Sequence, residues 1–108
     1  MTAQEIFNKV RDHLLAQNKK CQNGTDCLYR NFEDGMKCAF GILIEDEEYD
    51  PDMEGITCKE VMFRFKSLSR YNEHESLCIN LQSVHDNNPA SDWKDKLDLV
   101  ADKFGLQR

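Results

Sequence analysis

The residues best suited to binding chemistry are concentrated in one stretch. Glu45–Glu54 reads EDEEYDPDME, with seven carboxylates and no Lys or Arg. The chain of 108 residues has a formal net charge of −6, and outside this stretch 14 basic residues face 20 − 7 = 13 acidic ones. Like charges at this density repel one another and attract a basic partner. We therefore expect a partner-binding surface built from Asp46, Glu47, Glu48, Tyr49, Asp50, Asp52 and Glu54.

The same stretch partly matches a calcium-binding EF-hand loop. Asp50, Asp52 and Glu54 take positions 1, 3 and 5, and Gly55 takes position 6. The bidentate glutamate required at position 12 is missing, because Glu60 falls at position 11. One residue rotates a helical side chain by about 100°, so Glu60 should point away from the ion. The pattern favours a solvated acidic loop, with Asp50, Asp52 and Glu54 as the metal candidates.

Cysteine-nucleophile catalysis is the alternative with the most defined chemistry. It needs a thiolate beside a histidine that a third group orients. Cys38 and the pair His85–Asp86 supply the residue types, although adjacent helical residues lie about 100° apart, which makes Asp86 a poor orienter. No oxyanion-hole, GxSxG, HExxH or phosphate-loop motif accompanies them. We expect Cys38 and His85 to be core residues and the protein to be non-catalytic and free of cofactors.

The five cysteines form no CxxC pair, and CxxC spacing is the feature that makes a zinc prediction strong. A zinc site from Cys21, Cys27, Cys38 and a histidine stays open, as does a Cys21–Cys27 disulfide in an oxidising compartment. The start MTAQEIF has no basic or apolar signal region, so we expect a reducing cytosol. The acidic balance argues against direct nucleic-acid binding, and the longest apolar run is too short for a membrane helix.

Capping residues and apolar periodicity predict the elements that position these groups. Capping boxes at Thr2-x-x-Glu5 and Thr57-x-x-Glu60 begin two helices, the second reaching about Ser67. Asn72 and Ser91 are predicted to cap two more, ending at Asn87 and before Gly105. Between the first two helices, Asp26–Asn31 and Met36–Phe40 flank a Glu33-Asp34-Gly35 turn and predict a β-hairpin. The expected fold is a single α+β domain, residues 1–108, with about four helices around a small hairpin.

Several of these segments also resemble a known family. Leu28-Tyr29-Arg30, Gly35–Ile44, Asp46–Gly55 and Leu81–Asp86 are similar to a family of small proteins encoded in bacteriophage and prophage genomes. The resemblance implies a phage gene expressed in the bacterial host cytoplasm, and it carries no established activity or functional residue. Together with the charge, it predicts a small protein that binds a host or phage protein with a basic surface, for example a counter-defence inhibitor. The alternatives are a Cys/His enzyme or metal-binding protein and a virion structural component.

Overall fold

Four α-helices carry most of the regular structure in the computed structural model, which describes residues 1–108. Two antiparallel two-stranded sheets lie between the first and second helix, so the predicted α+β class with about four helices is confirmed. The helices are α1 (Ala3–Gln17), α2 (Cys58–Arg64), α3 (Glu75–Asn87) and α4 (Trp93–Phe104). None of them is both long enough and apolar enough to cross a bilayer.

The predicted capping box is complete at α1, but only one of its two hydrogen bonds forms at α2. The Thr2 hydroxyl accepts from the Glu5 amide at 3.1 Å, and the Glu5 carboxylate accepts from the Thr2 amide at 2.9 Å. Thr57 likewise accepts from the Glu60 amide at 3.2 Å, but the Glu60 carboxylate pairs with Arg64 at 2.8 Å instead of reaching back. An i,i+4 ion pair on the exposed face has replaced the second half of the box.

The other two predicted caps are wrong. Asn72 lies within a nine-residue 3-10 segment, Lys66–His74, and α3 begins only at Glu75. Ser91 lies within the short 3-10 turn Ala90–Asp92, and α4 begins at Trp93. In both places a 3-10 turn leads directly into the helix, so the helix starts without a side-chain cap. The predicted end of α4 is correct, since Gly105 adopts a φ of 66°.

The strands form two hairpins where one was predicted. The predicted hairpin is β3 (Arg30–Asn31) with β4 (Met36–Lys37). The unpredicted one is β1 (Gln22–Asn23) with β2 (Asp26–Cys27), which turns at Gly24 with a φ of 63°. Asn-Gly is a typical sequence at hairpin turns, and Asn23-Gly24 lies at this one. After β4 the chain passes into the 3-10 turn Gly41–Leu43.

A single cluster of 25 buried apolar residues joins all four helices to the hairpin region. In α1, the three- and four-residue spacing of Ala3, Ile6, Phe7, Val10, Leu14 and Leu15 predicts one buried face. Ile6, Phe7, Val10 and Leu14 are buried in the cluster, but Leu15 was wrongly included, since it is 37% exposed. Among the five glycines, only Gly41 lies against other atoms of the fold: a Cβ in place of its hydrogen would lie 2.1 Å from the Tyr29 carbonyl oxygen. Only glycine therefore fits at this crossing.

Candidate functional site

The acidic loop, residues 45–54, is folded onto the body of the protein. Met53 is fully buried and holds the centre of the loop in the core. Met53 is the last residue of a 3-10 turn, Pro51–Met53. At the start of this turn the Asp50 carboxylate accepts from the Asp52 amide at 2.8 Å. The Asp50 carboxylate, one of the seven, is therefore bonded to the backbone of the loop itself.

Glu54 ties the end of the loop to the strand region. Its carboxylate accepts from the backbone amides of Tyr29 and Arg30 at 2.9 and 3.2 Å, and from the Tyr49 hydroxyl at 2.7 Å. Burial, and next this hydrogen bond, raise the pKa of Tyr49. With Asp50 and Glu54 committed to different backbone amides, the structure does not bring the calcium candidates Asp50, Asp52 and Glu54 together as an ion site.

The first part of the loop is held by the buried Arg30. Its guanidinium donates to the Asp46 carboxylate at 2.7 Å and to the carbonyl oxygen of Ile44, and it lies 5.2 Å from the ring centre of Tyr49. Lys37 adds a second cation 3.6 Å from Asp46. The hydrogen bond from Arg30 lowers the pKa of Asp46. Asp46 is therefore neutralised by its own chain, although it is exposed.

Glu48 makes the strongest ion pair of the loop. Arg70 approaches its two carboxylate oxygens at 2.5 and 2.7 Å, and the Glu45 amide donates to it at 2.9 Å. The arginine hydrogen bonds lower the pKa of Glu48 to about 2. The guanidinium of Arg70 also lies 4.7 Å from the ring centre of Tyr71. This bidentate pair connects the loop to the 3-10 segment Lys66–His74.

Glu48→Gln is expected to reduce the free energy of unfolding at pH 7 by about 1–2 kcal/mol, a value lowered for the partial exposure of Arg70. A carboxylate with a depressed pKa stabilises the fold above its unfolded value of 4.5, and this contribution is lost as the pH falls toward about 2. Urea unfolding of both proteins should therefore give curves that converge below pH 4.5. A difference that stayed constant down to pH 2 would contradict the ion-pair explanation.

Three carboxylates of the loop remain directed outward, namely those of Glu45, Glu47 and Asp52. Glu47 and Asp52 have no cationic partner within 4.0 Å, and Glu45 has only Lys9 at 4.0 Å. Beside them Phe32 is 75% exposed and contacts Tyr49 edge to face with ring centres 5.5 Å apart. The predicted surface therefore has fewer unpaired carboxylates than the sequence indicated. It also includes the exposed aromatic side chain of Phe32, which the charge pattern did not indicate.

His85 does not have the free nitrogen that a base or metal ligand needs. Its Nε2 accepts from the Cys21 amide at 2.9 Å, so the proton lies on Nδ1, which donates to the Asp86 carboxylate at 2.7 Å. The ring is fully buried and stacks on Trp93, with ring centres 5.5 Å apart. The expectation that Asp86 would be a poor orienter of His85 was wrong, because its short side chain turns back to reach the ring.

The thiol of Cys38 is bonded to other groups. It donates to the Gln82 side-chain oxygen at 3.3 Å and accepts from the Gly41 amide at 3.2 Å. Complete burial raises the pKa of Cys38 well above its ordinary value, which suppresses the thiolate. Gln82 also accepts from the Phe40 amide at 2.7 Å and donates to Asp86 at 2.9 Å. Cys38 and His85 thus belong to one structural network through Gln82 and Asp86.

The cysteines Cys21 and Cys27 lie on opposite faces of the β1–β2 hairpin. Gln22 pairs with Cys27, which places Cys21 opposite Leu28 one register position away. All five cysteines are free, and the thiol of Cys21 donates to the Met36 carbonyl at 3.2 Å. This alternation disfavours the Cys21–Cys27 disulfide and separates the thiols proposed for zinc.

Thiol labelling of the native protein should modify Cys27 alone at a measurable rate. It is the only cysteine that is not buried, and the others must wait for an opening of the fold, which slows them by about 100-fold or more. Mass spectrometry after a short pulse with an alkylating reagent measures this directly. The fully unfolded chain should label at all five positions. Modification of native Cys38 as fast as Cys27 would revive the nucleophile hypothesis.

A cleft of about 540 Å³ opens between the β1–β2 hairpin, the start of α2 and one face of α3. Its walls are apolar at Leu28, Ile56, Cys58 and Ile79, and Asp86 also lines it. No sequence pattern indicated this cleft, because its walls come from three segments that are far apart in the sequence. Cys27, His85 and Asp86 place potential metal-ligand atoms within 4.8 Å of one another here.

Protein-family models, curated proteins and solved structures were compared with the chain, and none of them matches. The bacteriophage resemblance stays a prediction from the quoted segments. The acidic loop and the cleft are the two features of the fold that can indicate a function.

Proposed function

We propose that the protein is a non-catalytic binding module whose acidic loop docks on a basic surface of another protein. The observation that carries the proposal is that the loop's internal ion pairs and hydrogen bonds fix its shape and leave Glu45, Glu47 and Asp52 exposed. A surface ordered before binding loses less conformational entropy when its partner arrives.

The arrangement around the loop also supports a protein as the partner. Phe32 is a large apolar side chain at the edge of the charged surface, and aromatic residues surrounded by polar groups are typical of binding hot spots. The neighbouring Tyr49 is fixed by Arg30 and Glu54, so Phe32 contacts a rigid ring. The phage resemblance favours a host or phage protein of the bacterial cytoplasm as this partner.

Neutralising the three exposed carboxylates should lower partner capture by about tenfold, since exposed charge pairs contribute roughly 0.2–1 kcal/mol each. The immobilised protein would be exposed to lysate of a bacterial host, and the captured proteins measured by quantitative mass spectrometry. The test variant is Glu45→Gln, Glu47→Gln, Asp52→Asn. A second variant, Phe32→Ala, should lower capture of the same protein.

The matched control has the same change in charge at exposed acids elsewhere, namely Asp26→Asn, Glu73→Gln, Asp95→Asn. It should capture the partner as well as the unmodified protein does. Equal losses in the loop variant and the control would show that net charge alone attracts the partner. Absence of any captured protein that distinguishes the two variants would overturn the proposal.

A further inference from the structure

The cleft beside α3 is lined by a carboxylate, that of Asp86, with which no Lys or Arg of the chain pairs. Oδ1 of Asp86 accepts from the His85 ring at 2.7 Å and from the Gln82 amide at 2.9 Å, and the Cys27 thiol also hydrogen-bonds to this carboxylate. Neither His85 nor Gln82 is a Lys or Arg, and the Cys21 amide bonded to Nε2 leaves His85 one ring N–H, on Nδ1, to donate to Asp86. The network thus fixes the orientation of Asp86 without neutralising it.

The nearest cations do not pair with this carboxylate. Lys20 donates to the backbone oxygen of Asp86 at 3.2 Å, and no Lys or Arg nitrogen lies within 4.0 Å of the carboxylate itself. Lys59, on the opposite side of the cleft, lies 3.8 Å from Glu75. The thiol of Cys27 stays uncharged, because burial and then the charge of Asp86 raise its pKa. The negative charge of Asp86 in the cleft is therefore available to a ligand.

A metal ion does not fit this position. His85 carries its proton on Nδ1 and uses its other nitrogen for Cys21, so it has no lone pair to give. Cys27 and Asp86 would remain as two donors, whereas zinc sites use three or four protein ligands. The remaining chemistry at Asp86 is a hydrogen-bonded organic cation.

The walls of the cleft define the rest of such a ligand. Ile79, Gln82 and Asp86 lie on one face of α3, and Asp86 is seven residues, or about 10 Å, from Ile79. Leu28 and Ile56 contribute further apolar lining to the same cleft. The volume of about 540 Å³ lies within the range of small-molecule sites.

We propose that this cleft binds a small organic ammonium ion on an apolar stem of several carbons. The ammonium group donates to Oδ2 of Asp86, and the stem lies against Leu28, Ile56 and Ile79. His85 and Gln82 are positioning residues that hold the carboxylate toward the cleft. This site is separate from the acidic loop and does not depend on protein docking there.

Titration with phenylbutylamine, followed by amide chemical shifts in two-dimensional NMR, tests the proposal. Its length matches the cleft, and a ligand of this size should bind with a Kd on the order of 1 mM. The shifted amides should belong to the cleft walls. Phenylbutanol, which has the same shape without the charge, should bind at least about tenfold more weakly.

Asp86→Asn should weaken phenylbutylamine binding by about tenfold or more, since the asparagine keeps an oxygen for His85 but turns a donor toward the ammonium. Ile79→Ser tests the apolar wall without touching the network, and should weaken the amine and the alcohol alike. Asp95→Asn is the charge-matched control on α4 and should bind normally. The proposal is overturned if Asp86→Asn, with a folded spectrum, or phenylbutanol binds as tightly as the reference, or if the shifts fall outside the cleft.

Discussion

Replacing Gly41 with alanine is expected to lower the free energy of unfolding by about 3 kcal/mol or more. The new Cβ would lie 2.1 Å from the Tyr29 carbonyl oxygen and 3.3 Å from the Cys38 sulfur. Tyr29 cannot easily move away, because its amide donates to Glu54 at 2.9 Å and its hydroxyl to the Ile56 carbonyl at 2.6 Å. The clash would therefore spread from the core to the end of the acidic loop.

Urea unfolding followed by the fluorescence of the single tryptophan, Trp93, measures this effect. Gly24→Ala is the control, since its Cβ meets no atom within 4 Å and only the φ of 63° is unfavourable. Gly24→Ala should lower the free energy of unfolding by about 1 kcal/mol. If the two substitutions cost the same, the approach of Gly41 to Tyr29 is not rigid.

His85→Ala is expected to destabilise the fold by about 3–4 kcal/mol. The substitution leaves the Cys21 amide without its acceptor, removes a donor from Asp86 and opens a cavity beside Trp93. An unmet buried amide and a lost ring each contribute to this cost. A histidine held free for catalysis would show a much smaller loss, because catalytic bases are rarely so completely bonded into the core.

His13→Ala provides the comparison at a half-buried histidine. His13 lies 2.8 Å from one main-chain oxygen, that of Lys37, and desolvation lowers its pKa. We expect a cost of about 1 kcal/mol there. A loss at His85 no larger than that at His13 would contradict the structural role assigned to the His85–Asp86–Gln82 network.

Local patterns were sufficient to predict the helices and one hairpin. The stripe in α1 repeats every three or four residues and is bounded by a complete capping box, so both its extent and its buried face follow from the sequence. The Asn72 and Ser91 caps failed because a 3-10 turn occupies each position. A capping residue indicates that a turn begins, but it does not distinguish a 3-10 turn from an α-helix.

The candidate sites were less predictable because long-range side-chain bonds build them. Gln82 reaches the Phe40 amide 42 positions away, and Arg70 reaches Glu48 across 22. Neither residue belongs to a catalytic or metal-binding motif, and nothing in its immediate neighbours identifies its partner. The acidic run was visible in the sequence, whereas the division into inward and outward carboxylates depends on Arg30 and Arg70.

The ion pairs that shape the acidic loop have a consequence for its response to ionic strength. Salt screens exposed charges over a Debye length of about 8 Å at 0.15 M. The attraction of Glu47 and Asp52 for a basic partner would weaken, and so would the exposed parts of the Glu48–Arg70 and Asp46–Lys37 pairs that order the loop. Added salt would therefore weaken binding in two ways: it screens the attraction for the partner, and it weakens the ion pairs that order the loop. Binding at this surface should decline more steeply with salt than three outward charges alone would produce.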